Sequence, residues 1–331
     1  MNKIEKPFKK YLLLYVKGLG VGVADSVPGI SGGTIAFITG IYEELINSLR
    51  SFTPKNLKLF FTFKLKAFWK AVNGNFLLLV ALGIFTGLFS LAKIVLDMLD
   101  AYPVATWSFF FGLIVISTIM VLRNIREFTM PVFISFGIGA VVAYLITVLS
   151  VAQTPNDLWF IFICGAVACS IMIMPGISGG FVLLLMGKYQ YMLDALHGLK
   201  IEIIAVFASG AIIGLLTFSH LLSWLLRRFH DLMVALLAGF MFGALNKVWP
   251  WKVQENPATG EKWSWNMERF TDHSLNLIES NHLPQTYEKM TGLNADLYVG
   301  LAAATLAIAI FLTIEFIGKK MKKKKRIPIS E

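Results

Sequence analysis

A series of long apolar runs limits the possible folds of this chain more than any other feature. A helix crosses the hydrocarbon core of a bilayer with about 20 apolar residues. Hydrophobic residues make up 56% of the chain and charged residues only 15%, whereas soluble domains carry about 25% charged residues. The sequence therefore predicts a polytopic helical membrane protein, with residues 1–331 in a single integral membrane domain. Five or six candidate spans lie near 76–98, 104–122, 131–150, 202–226, 232–249 and 297–317.

The chain also contains an internal repeat. The segment VPGISGG at 27–33 returns as MPGISGG at 174–180, an offset of 147 residues, and farther on glycines match at an offset of 127. Each half, 11–150 and 157–317, begins with a broken apolar segment that carries the motif, and three apolar runs follow it. We therefore expect an all-α fold of two repeats, each a re-entrant or broken-helix hairpin plus three transmembrane helices. The glycines that match at the second offset are Gly83 with Gly210, Gly87 with Gly214, and Gly112 with Gly239.

Positive charge predicts the topology, because lysine and arginine mark loops that stay in the cytoplasm. The distribution places both flanks of the first hairpin and both chain termini in the cytoplasm. A hairpin plus three spans crosses the bilayer an odd number of times, so the second repeat is expected to be inverted relative to the first, as in secondary transporters. Lysine and arginine are concentrated at 3–10, 50–75, 123–126, 227–228 and 319–331, and are absent from 99–104 and 151–157.

The N-terminal stretch begins like a signal peptide. Its apolar part is only about six residues long before Lys17, which is shorter than a signal-peptide core. We therefore expect this stretch to be retained.

Two polar segments interrupt the apolar pattern. Residues 55–72, within an insert at 51–75 that is missing from the second half, predict an amphipathic helix on the cytoplasmic surface. The segment 250–296 is predicted to be an extracytoplasmic loop, and the tryptophans at its start favour interfacial anchoring over a role in substrate binding. The net charge is +10. Because the lysines cluster at helix ends and in the basic tail 319–331, this charge favours contact with anionic lipids over nucleic acid.

The repeated motif is suited to breaking a helix. Pro28 has no N–H and Gly29 lets the backbone turn, and Pro175 and Gly176 repeat the pair. The run that follows is helix-like, so a new helix begins near Ser31 with unpaired N–H groups at the positive end of its dipole. In hydrocarbon those groups need a partner, and phosphate is suited to them. We predict one phosphate site where the two helix N-termini converge in the membrane, formed by Ser31, Gly32, Gly33, Thr34, Ser178, Gly179 and Gly180.

Glycine and serine in membrane helices can also serve only as packing surfaces. The duplication of the motif, its proline and the expected inversion favour a binding site instead.

The segment GVGVADSVPGISGGTIAFITGIYEELI at 20–46 resembles the hallmark of a bacterial family once listed as domain of unknown function 368 and now associated with polyprenyl-phosphate translocation. The resemblance extends over nearly the whole chain. It implies a flippase of the bacterial cytoplasmic membrane that returns undecaprenyl phosphate from the outer to the inner leaflet, recycling the lipid carrier for peptidoglycan and related polymers. The second motif departs from the first, with Met172 in place of Asp25 and Phe181 in place of Thr34. The positions that match the family are Asp25, Pro28, Gly29, Ser31, Gly32, Gly33, Thr34, Gly40, Glu43, Pro175, Gly176, Ser178, Gly179 and Gly180.

The implied direction of transport requires an energy source. Inward movement of an anion opposes an interior-negative potential by roughly 2.3 kcal/mol per charge per 100 mV, so we expect coupling to protons or another cation. Asp25 is the first coupling candidate, because an acid deep in the membrane is costly without a function. The alternative is that its carboxylate caps the free N–H groups of the turn. Glu43 is a second candidate, for which ordinary solvation at the interface is the alternative.

Two other functions stay open. A small-anion channel or exchanger also uses helix ends broken by glycine and proline. A membrane enzyme is suggested by a faint similarity to the PG-x-S-R-S-G segment of undecaprenyl-diphosphate phosphatases, but Gly32 and Gly179 stand where that segment has arginine. Phosphoryl hydrolysis needs such positive charge. We expect no catalytic residue, no cofactor and no metal site, and the oligomeric state stays open.

Overall fold

The computed structural model describes residues 5–26, 31–149, 152, 154–265 and 277–324. Its contacts divide the chain into two compact units. Unit one comprises Met1–Val95 and Met120–Ala244, and unit two comprises Leu96–Ile119 and Leu245–Glu331. Each unit therefore combines two separate stretches of the chain.

Most of the described chain is helical, as the apolar runs predict. The helices of the first half are α1 (Glu5–Asp25), α2 (Gly32–Ile38), α3 (Tyr42–Arg50), α4 (Pro54–Phe61), α5 (Leu65–Ala71), α6 (Gly74–Thr86), α7 (Ala92–Ala101), α8 (Pro103–Leu122) and α9 (Met130–Val148), with a π-helical turn at Gly87–Leu91 between α6 and α7. The second half contains α10 (Leu158–Met172), α11 (Gly179–Leu185), α12 (Tyr189–His197), α13 (Ile201–Arg228), α14 (His230–Gly243), a 3₁₀ turn (Ala244–Asn246), β1 (Lys252–Glu255), β2 (Lys262–Ser264), β3 (Ile278–Asn281), α15 (Pro284–Thr291) and α16 (Leu297–Lys324).

Several of these helices can cross a membrane. In the described part of the chain, four are long and apolar enough, at Gly74–Leu91, Pro103–Leu122, Met130–Val148 and Ile201–Arg228. They coincide with predicted runs and confirm a polytopic membrane protein. The runs predicted at 232–249 and 297–317 form shorter apolar helices, His230–Asn246 and Leu297–Thr313. The course of the hairpins through the bilayer and the inversion of the repeats stay predictions.

Glycines bring the helices of unit one close together. α1 packs on α6, and α10 packs on α13. In both pairs a glycine lies against a backbone carbonyl of the partner helix, Gly18 at Val80 and Gly165 at Phe207, so that a Cβ at either glycine would collide with it. These two contacts are equivalent in the sequence repeat, because Gly18 matches Gly165 at the offset of 147 and Val80 matches Phe207 at the offset of 127. The same offsets relate Gly83 at Tyr15 to Gly210 at Phe162, and Gly87 at Leu19 to Gly214 at Ala166.

The insert at 51–75 differs from the prediction. Residues 55–72 were expected to form one amphipathic helix, and that expectation is wrong, because α4 and α5 are separate. Thr53 caps α4 by accepting a hydrogen bond from the Asn56 N–H, and the chain turns at Phe63, whose φ is +56°. Threonine and phenylalanine favour a helix less than alanine or leucine do, so ending α4 before Thr62 loses little helix propensity.

The segment 250–296 contains a small sheet that the sequence analysis did not predict, so the fold is not entirely helical. β1 is the central strand, antiparallel to both β2 and β3. Trp251, Val253 and Tyr287 form its buried core. The rest of the loop, 266–276, lies outside the described residues, as does the end of the basic tail after Lys324.

Unit two also buries charged groups. Glu279 of β3 forms an ion pair with Lys247 and accepts a hydrogen bond of 2.8 Å from the Trp265 indole. Lys252 of β1 is 3% exposed, and its ammonium lies 5.8 Å from the centre of the Trp107 ring. Burial lowers the pKa of Lys252 to about 7, against the attraction of Glu279. Burial alone would raise the pKa of Glu279, but the two lysines and the hydrogen bonds that it accepts lower this pKa to about 2.

Candidate functional site

The first motif begins a short helix after a break. α1 ends at Asp25 and α2 begins at Gly32, while Pro28 and Gly29 lie outside the described residues. Ser31 is the N-cap residue of α2, with extended φ and ψ of −109° and 128°, and its hydroxyl oxygen accepts a hydrogen bond of 3.1 Å from the Gly33 N–H. Serine is favoured at this position because its oxygen satisfies one of the free N–H groups of the first turn.

Asp25 is the partner of another of these N–H groups. One carboxylate oxygen, Oδ1, accepts a hydrogen bond of 2.7 Å from the Gly32 N–H. The other oxygen, Oδ2, is buried and has no hydrogen-bond partner among the residues that the structure describes. The hydrogen bond between Asp25 and the Gly32 N–H is the contact expected if the Asp25 carboxylate caps the free N–H groups of the turn. The coupling role of Asp25 stays a prediction.

Two charged side chains of α1 hold α2 at opposite ends. Asp25 bonds the first residue of α2, and the Lys17 ammonium donates a hydrogen bond of 2.5 Å to the Thr39 carbonyl, just after its last residue. An anion at a helix N-terminus and a cation at its C-terminus both stabilise the helix dipole. The spacing fits, since eight residues of α1 extend about 12 Å and the seven-residue α2 about 10 Å.

The second motif has the same break without the charges. α10 ends at Met172, and the turn that follows contains Gly176 at φ +89°. Ser178 is the N-cap residue of α11, and its hydroxyl oxygen accepts a hydrogen bond of 3.4 Å from the Phe181 N–H. The helix break expected at Pro175 and Gly176 is therefore present. At the offset of 147, Met172 stands in place of Asp25 and Cys164 in place of Lys17.

Among the described residues, fewer N–H groups at the N-terminus of α11 have hydrogen-bond partners than at the N-terminus of α2. Gly180 is exposed, and the amides of Gly179 and Gly180 donate to no group in the described part of the chain. In the first motif, by contrast, the amides of Gly32 and Gly33 already have partners. The two motifs are similar in sequence but differ in their capacity to accept an anion.

The two motifs are in direct contact, as the sequence predicts. The Ser31 hydroxyl donates a hydrogen bond of 3.0 Å to the Met174 carbonyl, and the Gly176 N–H donates one of 2.8 Å to the Thr34 hydroxyl oxygen. Gly33 lies against the second turn, where an added Cβ would be 2.5 Å from the Ile173 carbonyl oxygen. The hydroxyls of the first motif therefore satisfy polar backbone groups of the second, and the breaks form one polar locus inside unit one.

These contacts refine the predicted site residues. The hydroxyls of Ser31 and Thr34, predicted to bind phosphate, join the two motifs in this structure. Glu43 is exposed in the first turn of α3, as the solvation alternative expects.

Sequence reasoning missed Tyr189, whose ring atom Cε2 lies 3.8 Å from the position of a Cβ at Gly180. The match of Tyr189 with Tyr42 at the offset of 147 was the available signal. Among the described residues, no group of three His, Cys, Asp or Glu side chains could hold a metal ion.

The fold and the paired helix breaks define a class, the polytopic helical membrane proteins with broken helices at a polar locus. The family model described as undecaprenyl phosphate translocase-like (VCA0040-like) matches residues 21–263. The chain belongs to this family.

Curated relatives agree with this assignment. The chain is 40% identical over 310 residues to a polyprenyl-phosphate transporter of Vibrio cholerae, a match of 94% of this chain and 98% of that protein. It is 27% identical over 253 residues to a polyprenyl-phosphate transporter of Staphylococcus aureus, covering 71% of this chain and 85% of that protein. No solved structure matches the chain. The family and the relatives' names indicate a transporter rather than an enzyme.

Proposed function

We propose that the chain is a flippase for polyprenyl phosphate, and that it returns undecaprenyl phosphate from the outer to the inner leaflet of the bacterial cytoplasmic membrane. The contact between the two broken-helix motifs carries this proposal, because it joins both helix N-termini in one place. The relatives' names supply the substrate class. Two inverted repeats with both termini in the cytoplasm complete the proposed topology, and the glycine contacts that the two offsets relate support the duplication.

The phosphate headgroup binds first at the open end of α11 in this proposal. The amides of Gly179 and Gly180, at that end, have no acceptor in the described part of the chain, and Tyr189 lies beside Gly180. A phosphate monoester carries about −1.5 to −2 charges at neutral pH, and moving it bare through hydrocarbon would cost tens of kcal/mol. One helix terminus contributes only about 0.3–2 kcal/mol. The site therefore needs several amides, side chains and water together, while the isoprenoid tail stays in lipid.

Asp25 connects headgroup binding to proton binding. Its carboxylate occupies the Gly32 amide that a phosphate at the first motif would use. Two anions side by side in a site of low dielectric repel each other strongly. Protonation of the carboxylate removes that repulsion and weakens its hold on the amide, so proton uptake and headgroup transfer between the motifs are coupled.

Asp25→Asn tests this coupling. We expect the rate of undecaprenyl phosphate transport to fall by about tenfold or more, which corresponds to an increase of about 1.4 kcal/mol or more in the activation free energy. The remaining transport should not depend on an imposed pH gradient. The measurement is transbilayer movement of the labelled lipid in proteoliposomes with and without that gradient.

The control for this experiment is Glu127→Gln, at an exposed acid in the α8–α9 loop, which should transport like wild type. Glu43→Gln examines the second acidic candidate. If Glu43→Gln abolishes the response to the gradient while Asp25→Asn retains it, the assignment of coupling to Asp25 is wrong.

The two alternative functions make different predictions. A small-anion exchanger would move chloride or inorganic phosphate across liposomes and leave the labelled lipid phosphate in its leaflet. A phosphatase would release phosphate from undecaprenyl diphosphate. The proposed flippase does neither, and parallel flux and phosphate-release assays on the same purified protein separate the three.

A further inference from the structure

The two helices of the insert, α4 and α5, form a hairpin with an unusually exposed apolar tip. Neither helix contains a buried residue. The turn between them is closed by hydrogen bonds from the Phe63 N–H to the Phe60 carbonyl and from the Lys64 N–H to the Leu59 carbonyl. Phe63 is 88% exposed and Phe61 74% exposed. Large apolar side chains that are exposed in this way are removed from water only when they contact another apolar surface.

The charge of the α4–α5 hairpin has a single sign. Five lysines lie within it, and no aspartate or glutamate occurs anywhere between Glu44 and Asp97. Lysines interspersed with outward aromatic residues match a surface that has both apolar depth and negative charge. The lysines are Lys55, Lys58, Lys64, Lys66 and Lys70, and the other exposed apolar residues are Phe60, Leu65 and Trp69.

Contacts at the base of the hairpin fix its position relative to a membrane-crossing helix. The Trp69 ring lies against Gly74, the first residue of α6, and its indole N–H donates a hydrogen bond of 2.8 Å to the Asn75 side chain. The Asn73 amide donates to Glu44 at 3.0 Å and to Ser48 at 3.1 Å on α3. Since α6 begins one of the apolar spans, the hairpin is attached directly to the start of that span.

We propose that the α4–α5 hairpin binds the anionic lipid surface of the leaflet beside it, with Phe61 and Phe63 inserted among the acyl chains and the lysines at the lipid phosphates. Charge complementarity and attachment to α6 favour lipid over a protein partner or a second copy of the chain. This binding is separate from the proposed transport, because it involves none of the motif residues.

The test places a fluorescent probe at the tip. Phe63→Cys in the full chain, carrying Cys169→Ala, is labelled with an environment-sensitive dye and reconstituted in nanodiscs. Cys164 is buried, and the parent protein measures its background labelling. With about 30% phosphatidylglycerol, we expect blue-shifted emission, quenching by spin-labelled lipids and protection from aqueous iodide. Thr259→Cys, at an exposed polar turn, is the matched control and should show the reverse.

Charge is tested in the same system. Replacing phosphatidylglycerol with phosphatidylcholine, or Lys58, Lys64 and Lys66 with glutamine, should reduce lipid quenching by about threefold or more. Iodide quenching of Phe63→Cys equal to that of the control would overturn the proposal. Protection from iodide without lipid quenching would also overturn it, since that result indicates a protein partner.

Discussion

Glu279→Gln is expected to lower the free energy of unfolding of unit two by about 3–5 kcal/mol, the usual effect of removing one partner from a buried charge pair. The substitution removes the negative charge of Glu279 from between Lys247 and Lys252. It also replaces the acceptor of the Trp265 indole hydrogen bond by a weaker one. The change is measured by thermal unfolding of the full chain in nanodiscs, with hydrogen exchange of the β1 and β3 amides as the signal for unit two.

The matched control lies in the same sheet. Glu255 pairs with Lys262 at 3.5 Å, and both side chains are about one-third exposed, so Glu255→Gln should cost less than about 1 kcal/mol. Equal effects of the two substitutions would show that the buried cluster does not stabilise unit two.

The same cluster predicts how stability depends on pH. The pKa of Glu279 falls from 4.5 to about 2 on folding, so its contribution is present above pH 4.5 and is lost as the pH drops toward 2. The pKa of Lys252 falls from 10.5 to about 7. The unfolded chain then binds a proton that the folded chain lacks, and stability rises between pH 7 and pH 10.5. Lys252→Met should flatten that rise.

Gly176→Ala is expected to disrupt the contact between the two motifs. The backbone of Gly176 has φ +89°, and an added Cβ would lie 2.5 Å from the Phe240 carbonyl carbon and 2.6 Å from the Met241 nitrogen. Those atoms belong to the backbone of α14 and cannot rotate away. Strain and collision together should cost about 3 kcal/mol or more. They should also weaken the hydrogen bond from the Gly176 N–H to Thr34.

Gly40→Ala separates strain from collision. Gly40 has a similar φ of +69°, but no atom of the described residues lies within 4 Å of the Cβ position, so its substitution should cost about 1–2 kcal/mol. Thermal unfolding of both variants provides the comparison. If Gly176→Ala is no more damaging than Gly40→Ala, the close approach of α14 to the second motif is not important for stability.

Sequence reasoning was sufficient where a pattern depends on local chemistry. Apolar runs predict membrane helices because hydrocarbon leaves no other partner for backbone groups. The duplicated motif predicted the meeting of the two breaks, which the contacts of Ser31 and Thr34 confirm.

Contacts that depend on how the chain folds back on itself could not be predicted from the sequence. Lys17 and Asp25 hold α2 only because that helix runs back along α1. Lys252, Gln254 and Glu279 look like parts of a solvated loop in the sequence, but strand pairing buries Lys252 and Gln254 and leaves the Glu279 side chain only 17% exposed. Phe63 looks like part of a helix, because a positive φ at a phenylalanine has no sequence signal.

The most direct test of the proposed function measures transbilayer movement of labelled undecaprenyl phosphate in proteoliposomes containing wild type, Gly180→Val or Gly137→Val. Among the described residues, a Cβ at Gly180 meets no atom closer than 3.8 Å and one at Gly137 meets none within 4 Å, so both positions have space for a side chain. We predict that wild type and Gly137→Val move the lipid about tenfold or more faster than protein-free liposomes, and that Gly180→Val, whose side chain covers the open amides, does not. Wild-type movement no faster than in protein-free liposomes, or undiminished movement by Gly180→Val, would contradict a phosphate site at the joined motifs.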